Sequence, residues 1–184
     1  MPTLFKLLSL NDETYKQIIE RIGQDNNFLQ AHTSTGYHPN VRNCKTFFVK
    51  GPKLNDIIFP IIQKVNLDEK WNFKLVEPNG YSYNRYEEGD FYTWHTDGKL
   101  TDKKTYLRKV SFSLCLSDNY GGGDFFIQTK RKRDGEKMEY GKFHLKEKEM
   151  IIFKSDVYHM VEKVTEGQRD SLVGWIYGPK DWNL

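Results

Sequence analysis

His95 and Asp97 stand two residues apart in Trp94-His95-Thr96-Asp97-Gly98, and His159 follows Asp97 by 62 positions. Two imidazoles and one carboxylate can hold a divalent iron on one face and leave the opposite face open to reactants, the ligand set of an oxygenase. On a strand, alternate side chains share a face, so His95 and Asp97 form a two-pronged claw if the strand runs through both. The third ligand must then come from another strand laid alongside. His159, in Val157-Tyr158-His159-Met160-Val161, can supply it. His32, His38 and His144 have no such partners and read as ordinary core or surface residues.

A second group of residues lies ten positions after His159. In Arg169-Asp170-Ser171 the first and third side chains share a strand face. Arginine is always protonated and presents a planar fork that matches two carboxylate oxygens, and a serine hydroxyl adds a further donor. A buried guanidinium without a partner is costly, so Arg169 should meet either a protein carboxylate, such as Glu162 or Asp170, or an anionic cosubstrate. The run Leu107–Leu116 adds a hint, because one face carries Phe112, Leu114 and Leu116 and the other the small Ser111, Ser113 and Cys115. Small side chains leave room for a ligand inside a barrel, although a half-exposed strand has the same pattern.

The elements that must position these residues fall into two textures. Residues 12–22 place Tyr15, Ile18, Ile19 and Ile22 at helical spacing between a capping Asn11 and a terminating Gly23. Residues 53–65 carry a second apolar stripe that Pro60 should kink or divide. The stretch from Gln30 to Asn43 reads as a loop. After Trp71 come nine short β-rich runs, 72–76, 81–86, 91–95, 107–116, 124–128, 138–145, 150–153, 157–164 and 169–177, a spacing that suggests a sandwich or barrel.

The bulk properties narrow the setting. With 184 residues the chain suits a single domain, 1–184, with 1–70 as helical support and 71–184 as the β core. A net charge of +3 is small and gives no argument for nucleic acid, which is not expected as a partner. The dense Lys130-Arg131-Lys132-Arg133 run precedes Asp134-Gly135, a hairpin-turn signal, and reads as a solvated loop. Two cysteines, Cys44 and Cys115, and no leader or apolar stretch of membrane-spanning length point to a cytoplasmic protein, or one of a host's cytoplasm if phage-encoded.

Taken in order, the motifs Tyr86-X-X-Gly89-X-X-Tyr92-X-X-His95-X-Asp97, Gly122-Gly123-Asp124-Phe125-Phe126, Ile152-Phe153-Lys154-Ser155, His159 and Gly167-Gln168-Arg169 through Gly174-Trp175-Ile176 resemble the iron(II)- and 2-oxoglutarate-dependent dioxygenases. The similarity covers residues 80–178 and is greatest to the prolyl 4-hydroxylase branch and its bacterial and phage relatives. It implies a mainly β fold with N-terminal helices, a double-stranded β-helix or cupin-like jelly roll whose helices buttress one sheet. It also implies Fe2+ held by His95, Asp97 and His159, and 2-oxoglutarate held at its distal carboxylate by Arg169. By the same resemblance Tyr86 lines the cosubstrate pocket, Tyr92 and Trp175 border the reacting centre, and ascorbate is a candidate accessory reductant. The implied reaction consumes O2, releases succinate and CO2, and hydroxylates an unactivated C–H of a protein side chain, prolyl included, or of a small molecule.

Three departures stand out. Where this chain has Cys115, animal prolyl hydroxylases often carry a tyrosine that helps hold the distal carboxylate; cysteine is shorter, which leaves Ser171 or water to replace it. The turn before Met150 reads Lys146-Glu147-Lys148-Glu149 instead of containing Pro and Gly. No recognisable peptide-binding module accompanies the catalytic motifs. Two other readings stay open at this level: a non-catalytic jelly-roll binding module, since fold alone does not give function, and a cupin-type metal enzyme that does not use 2-oxoglutarate. The polar, turn-rich stretches 30–43 and 98–106 are expected to shape the substrate entrance.

Overall fold

The computed structural model describes residues 2–23, 27–33, 36–98, 105–131 and 134–180. Strand β1 (Phe5–Ser9) leads into helix α1 (Asp12–Ile22), which begins where Asn11 Oδ1 accepts the Thr14 N–H at 2.8 Å. It ends at Gly23, whose φ of 70° is open to glycine and costly for other residues. Tyr15, Ile18 and Ile22 are buried, while Ile19 is 40% exposed at the margin of the stripe. After β2 (Leu29–Gln30), β3 (Arg42–Asn43) and β4 (Lys45–Lys50), helix α2 (Asn55–Asp68) runs unbroken through Pro60, so the expected division does not occur.

The remaining strands are β5 (Gly80–Tyr86), β6 (Phe91–His95), β7 (Tyr106–Cys115), β8 (Tyr120–Gly122), β9 (Phe125–Gln128), β10 (Tyr140–Phe143), β11 (Glu149–Lys154), β12 (His159–Val161), β13 (Val164–Gly167) and β14 (Arg169–Pro179). They form a seven-stranded sheet in the order β1-β11-β7-β14-β5-β4-β2 and a five-stranded sheet in the order β10-β9-β12-β6-β3, with β13 and β8 as a separate pair. The recorded pairings are antiparallel. The architecture is the expected double-stranded β-helix.

Alternation along the strands divides the core in two. On β11, Met150 and Ile152 join Phe112 and Leu114 of β7, Leu172 and Ile176 of β14 and the apolar stripes of both helices. Ile151 and Phe153 turn the other way, into the space between the sheets, with Cys115, Phe125 and Ile127. The helices therefore cover one face of the seven-stranded sheet, and its inner face is free to hold a site. Gly174 fits this scheme: a Cβ there would lie 2.4 Å from the Phe112 ring and 2.7 Å from that of Tyr81.

The structure corrects the simpler picture of a helical N-terminal third. Residues before 70 also supply an outer strand on β11, the β4–β5 pairing and the short β3 beside β6. Of the run 72–76 only an isolated bridge from Val76 to Tyr177 forms, and the run 157–164 is split between β12 and β13. Lys130 and Arg131 of the basic stretch lie in the connection of the β9–β10 hairpin, beyond Gln128 opposite Tyr140, with Lys130 paired to Glu139 and Arg131 to Asp156; Lys132 and Arg133 lie outside the described residues. No helix among the described residues is long and apolar enough to cross a membrane.

Candidate metal centre

β6 and β12 are adjacent antiparallel strands in which His95 and His159 lie directly opposite each other. Their rings approach to 4.1 Å between centroids. Asp97 sits two residues beyond the end of β6, where its N–H donates to the Ser155 carbonyl at 2.9 Å and fixes the turn. One ligand atom from each of His95, Asp97 and His159 lies within 4.8 Å of the others, and the Asp97 oxygens are 3.9 Å from His95 Nε2 and 3.5 Å from His159 Nε2. The claw proposed from the sequence is thus brought together, although Asp97 reaches it from a turn and not from the strand proper.

The hydrogen bonds on the far side of each ring decide which nitrogen is offered. His95 Nδ1 donates to the Thr93 carbonyl at 2.8 Å and His159 Nδ1 to the Val157 carbonyl at 3.0 Å. A carbonyl can only accept, so Nδ1 of each ring carries a proton and Nε2 is the nitrogen turned toward Asp97. Burial, aided by the neighbouring His159, holds His95 down to about 3, so this ring is a neutral donor at ordinary pH. Burial would raise the Asp97 carboxyl, but His159, His95 and Arg108 outweigh it and hold Asp97 below the usual carboxylate range. Two lone pairs and one carboxylate converging at this spacing fit a divalent cation of the iron type.

The centre lies in the wall of a cavity between the two sheets. Arg169, Ser171 and Trp175 reach it from β14, Tyr86 from β5 and Tyr92 from β6. Tyr92 stacks on the His95 ring at 3.5 Å between centroids. Arg169 is 1% exposed and its Nη1 donates to Ser171 Oγ at 3.3 Å, while Nε and Nη2 have no hydrogen-bond partner among the described residues. Neither protein carboxylate weighed from the sequence serves it, because Asp170 is taken by Arg85 at 3.0 Å and Glu162 by Lys142 at 3.3 Å. Leaving a buried charged donor unpaired costs more than the roughly 1–3 kcal/mol of a neutral one, so the fold presents a fork made to receive an anion.

Cys115 takes no part in that fork. Its thiol donates to the Ser117 and Leu145 carbonyls, both at 3.3 Å, and it is not among the cavity-lining residues. Sequence reasoning missed Asn84 and Arg42, which do line the cavity and are joined by a 3.0 Å hydrogen bond from Arg42 Nη2 to Asn84 Oδ1. Asn84 lies two residues before Tyr86 on one strand face, so strand alternation could have found it. Nothing comparable pointed to Arg42. His32, His38 and His144 stay out of the cavity lining, and His144 is engaged by Asp124 at 2.6 Å.

Residues 81–177 match the family model of the 2OG-Fe(II) oxygenase superfamily. The chain belongs to that superfamily. Its cofactors are iron(II) and 2-oxoglutarate, and it is a 2-oxoglutarate-dependent dioxygenase of the hydroxylase type. A PKHD-type hydroxylase of Synechococcus sp. is 35% identical over 170 residues, which are 90% of this chain and 72% of that protein. One of Crocosphaera subtropica is 27% identical over 176 residues, 91% of this chain and 75% of that protein. Among solved structures, a prolyl hydroxylase from Trichoplax adhaerens, in complex with a hypoxia inducible factor peptide fragment, shares the fold with a TM-score of 0.72 over 95% of this chain and 84% of that chain, at 13% identity.

Proposed function

We propose that His95, Asp97 and His159 bind the iron of this oxygenase, that Arg169 with Ser171 receives the distal carboxylate of 2-oxoglutarate, and that the enzyme hydroxylates a side chain of a protein substrate, prolyl being the first candidate. The observation that carries this reading is the buried Arg169 fork with two unpartnered N–H groups, opening into the same cavity as the three metal-binding side chains. A cupin-type enzyme without a dicarboxylate cosubstrate has no use for that fork, and a non-catalytic binding module has no use for the triad.

Iron(II) and 2-oxoglutarate together supply the activation of O2 and the oxidation of the substrate carbon. The chain's own residues bind, orient and exclude water. The Thr93 and Val157 carbonyls fix the two imidazole planes, and the Tyr92 ring, stacked on His95, shields one side of that ligand. Arg169 lies under Tyr86 and Tyr120, whose rings stand 5.6 and 6.0 Å from its guanidinium carbon, so the anion it holds is kept from bulk water. Trp175 borders the opening toward the substrate. The prolyl assignment draws support from the peptide-bound prolyl hydroxylase that shares the fold.

Anaerobic titration with iron(II) and then 2-oxoglutarate tests the cofactor assignment. A visible charge-transfer band that needs both additions, and that is lost in Asp97→Ala, is the expected result. A band that persists in Asp97→Ala overturns the metal assignment. Succinate release across a panel of prolyl and non-prolyl peptides and small metabolites then identifies the substrate class.

A further inference from the structure

Ser111, Ser113 and Cys115 alternate along one face of β7, and the structure gives each a different neighbour. Ser113 lines the cavity, and the Cys115 thiol is bound to backbone carbonyls. Ser111 does neither. Its Oγ lies 2.8 Å from Oγ of Ser155, the residue that follows β11, and both side chains are fully buried. Two buried hydroxyls carry two protons and can satisfy only one of them between themselves, so the pair needs an acceptor at one end.

Asp97 is that acceptor. Burial pushes its carboxyl up, and the hydrogen bond from Ser111 joins His159, His95 and Arg108 in holding it down. A carboxylate can only accept, so Ser111 gives its proton to Asp97 and Ser155 gives its own to Ser111. Hydroxyls aligned head to tail in this way strengthen one another in a buried setting.

The main chain of Ser155 grips the same ligand. Its carbonyl accepts the Asp97 N–H at 2.9 Å and the Gly98 N–H at 2.7 Å, and its own N–H donates to the Lys109 carbonyl of β7 at 3.0 Å. Gly98 allows this approach, since a Cβ there would lie 2.9 Å from the Arg108 carbonyl oxygen and 3.1 Å from Ser155 Cβ. The backbone of Ser155 thus sets where Asp97 stands, and its hydroxyl, through Ser111, acts on the way the carboxylate faces.

That orientation matters because Asp97 is the one member of the triad outside a strand. His95 and His159 are held by the β6–β12 pairing and by the carbonyls on their Nδ1 atoms. A carboxylate turns more freely about its Cβ–Cγ bond and can offer a metal one oxygen or both. A donor fixed on one oxygen leaves the other for the metal and keeps the remaining positions for reactants.

We infer that Ser111 and Ser155 are positioning residues of the metal centre, whose hydroxyls act in series to hold one Asp97 oxygen so that the carboxylate meets the metal through the other. The inference rests on the metal reading of His95, Asp97 and His159.

The test strips the full chain of metal and titrates it with cobalt(II), which reports affinity and, through its visible ligand-field bands, the arrangement of its ligands. Ser111→Ala should weaken cobalt(II) by about tenfold, the low end for losing a group that orients a metal ligand, and should shift the bands. Ser155→Ala keeps the carbonyl that fixes the turn and should cost about threefold. The double variant should match Ser111→Ala, because the outer hydroxyl acts only through the inner one. Unchanged affinity and bands in Ser111→Ala, or losses that multiply in the double variant, would overturn the inference. A thermal melt without metal shows whether Ser111→Ala is folded. If it is not, Ser155→Ala decides alone, and an affinity equal to that of the unsubstituted protein overturns the inference. Asp97→Ala runs in the same series: binding as tight as in the unsubstituted protein marks failure of the metal reading instead.

Discussion

Ser171 and Cys115 face each other across β14 and β7, yet only Ser171 meets Arg169. The thiol is spent on two backbone carbonyls, and the hydroxyl accepts from the guanidinium at 3.3 Å inside the cavity. Of the two residues left open by the sequence as a second anchor for the cosubstrate, the geometry favours the serine. Ser171→Ala should therefore raise the Michaelis constant for 2-oxoglutarate by roughly three- to tenfold, the value of one lost hydrogen bond. Cys115→Ala should leave that constant alone and lower thermal stability through the cavity it opens. Steady-state succinate assays on both variants check the contrast, and an equal effect on the constant would refute it.

Arg169→Ala removes the charge that the fork presents. The constant for 2-oxoglutarate should rise by about a hundredfold or more, as when one partner of a buried charge pair is lost. Iron binding, measured by metal analysis after gel filtration, should stay near one equivalent. If metal content falls in parallel with cosubstrate affinity, the arginine is a structural post and not an anion anchor.

The unpartnered N–H groups of Arg169 also mean that cosubstrate should stabilise the fold. At a hundred times its dissociation constant, 2-oxoglutarate should add about 2.7 kcal/mol. In a thermal melt with a redox-inert divalent metal the midpoint should climb with 2-oxoglutarate concentration. Arg169→Ala should flatten that dependence, and a slope unchanged by the substitution would place the anion elsewhere.

Gly123 offers a test of how tightly the arginine is held. Its φ is +61°, and a Cβ would sit 3.1 Å from Arg169 Cδ and 3.0 Å from Val164 Cγ2. Gly123→Ala should cost about 1–2 kcal/mol of stability from the left-handed backbone. It should also weaken 2-oxoglutarate binding, because the new methyl presses the side chain out of line. Urea melts and cosubstrate titrations separate the two effects; a loss of stability alone would show that Arg169 has slack.

Much of this was legible in the residues themselves. The span of α1 follows from a 3.6-residue apolar period with a cap at Asn11 and a stop at Gly23, all local chemistry. His95, Asp97, His159 and Arg169 could be picked out by residue type because few side chains bind metals or carboxylates well. What stayed hidden depends on pairing between distant segments. Arg42 lies on a strand of two residues, too short for alternation to show, whose existence depends on β6 lying beside it. The extra strand β1 is invisible locally, since its residues become a strand by pairing with β11. The bulge in the β14–β7 pairing at Ile176 and Tyr177 leaves no mark in composition.

The strand order has a consequence for how the molecule comes into being. β14 follows every other strand in chain order and yet lies in the interior of the seven-stranded sheet, between β7 and β5. Until it emerges from the ribosome, at roughly 5–20 residues per second, those two strands have no partner on their facing edges. Arg169, Ser171 and Trp175 all ride on this late strand, so the anion fork and the closure of the seven-stranded sheet are completed in one step.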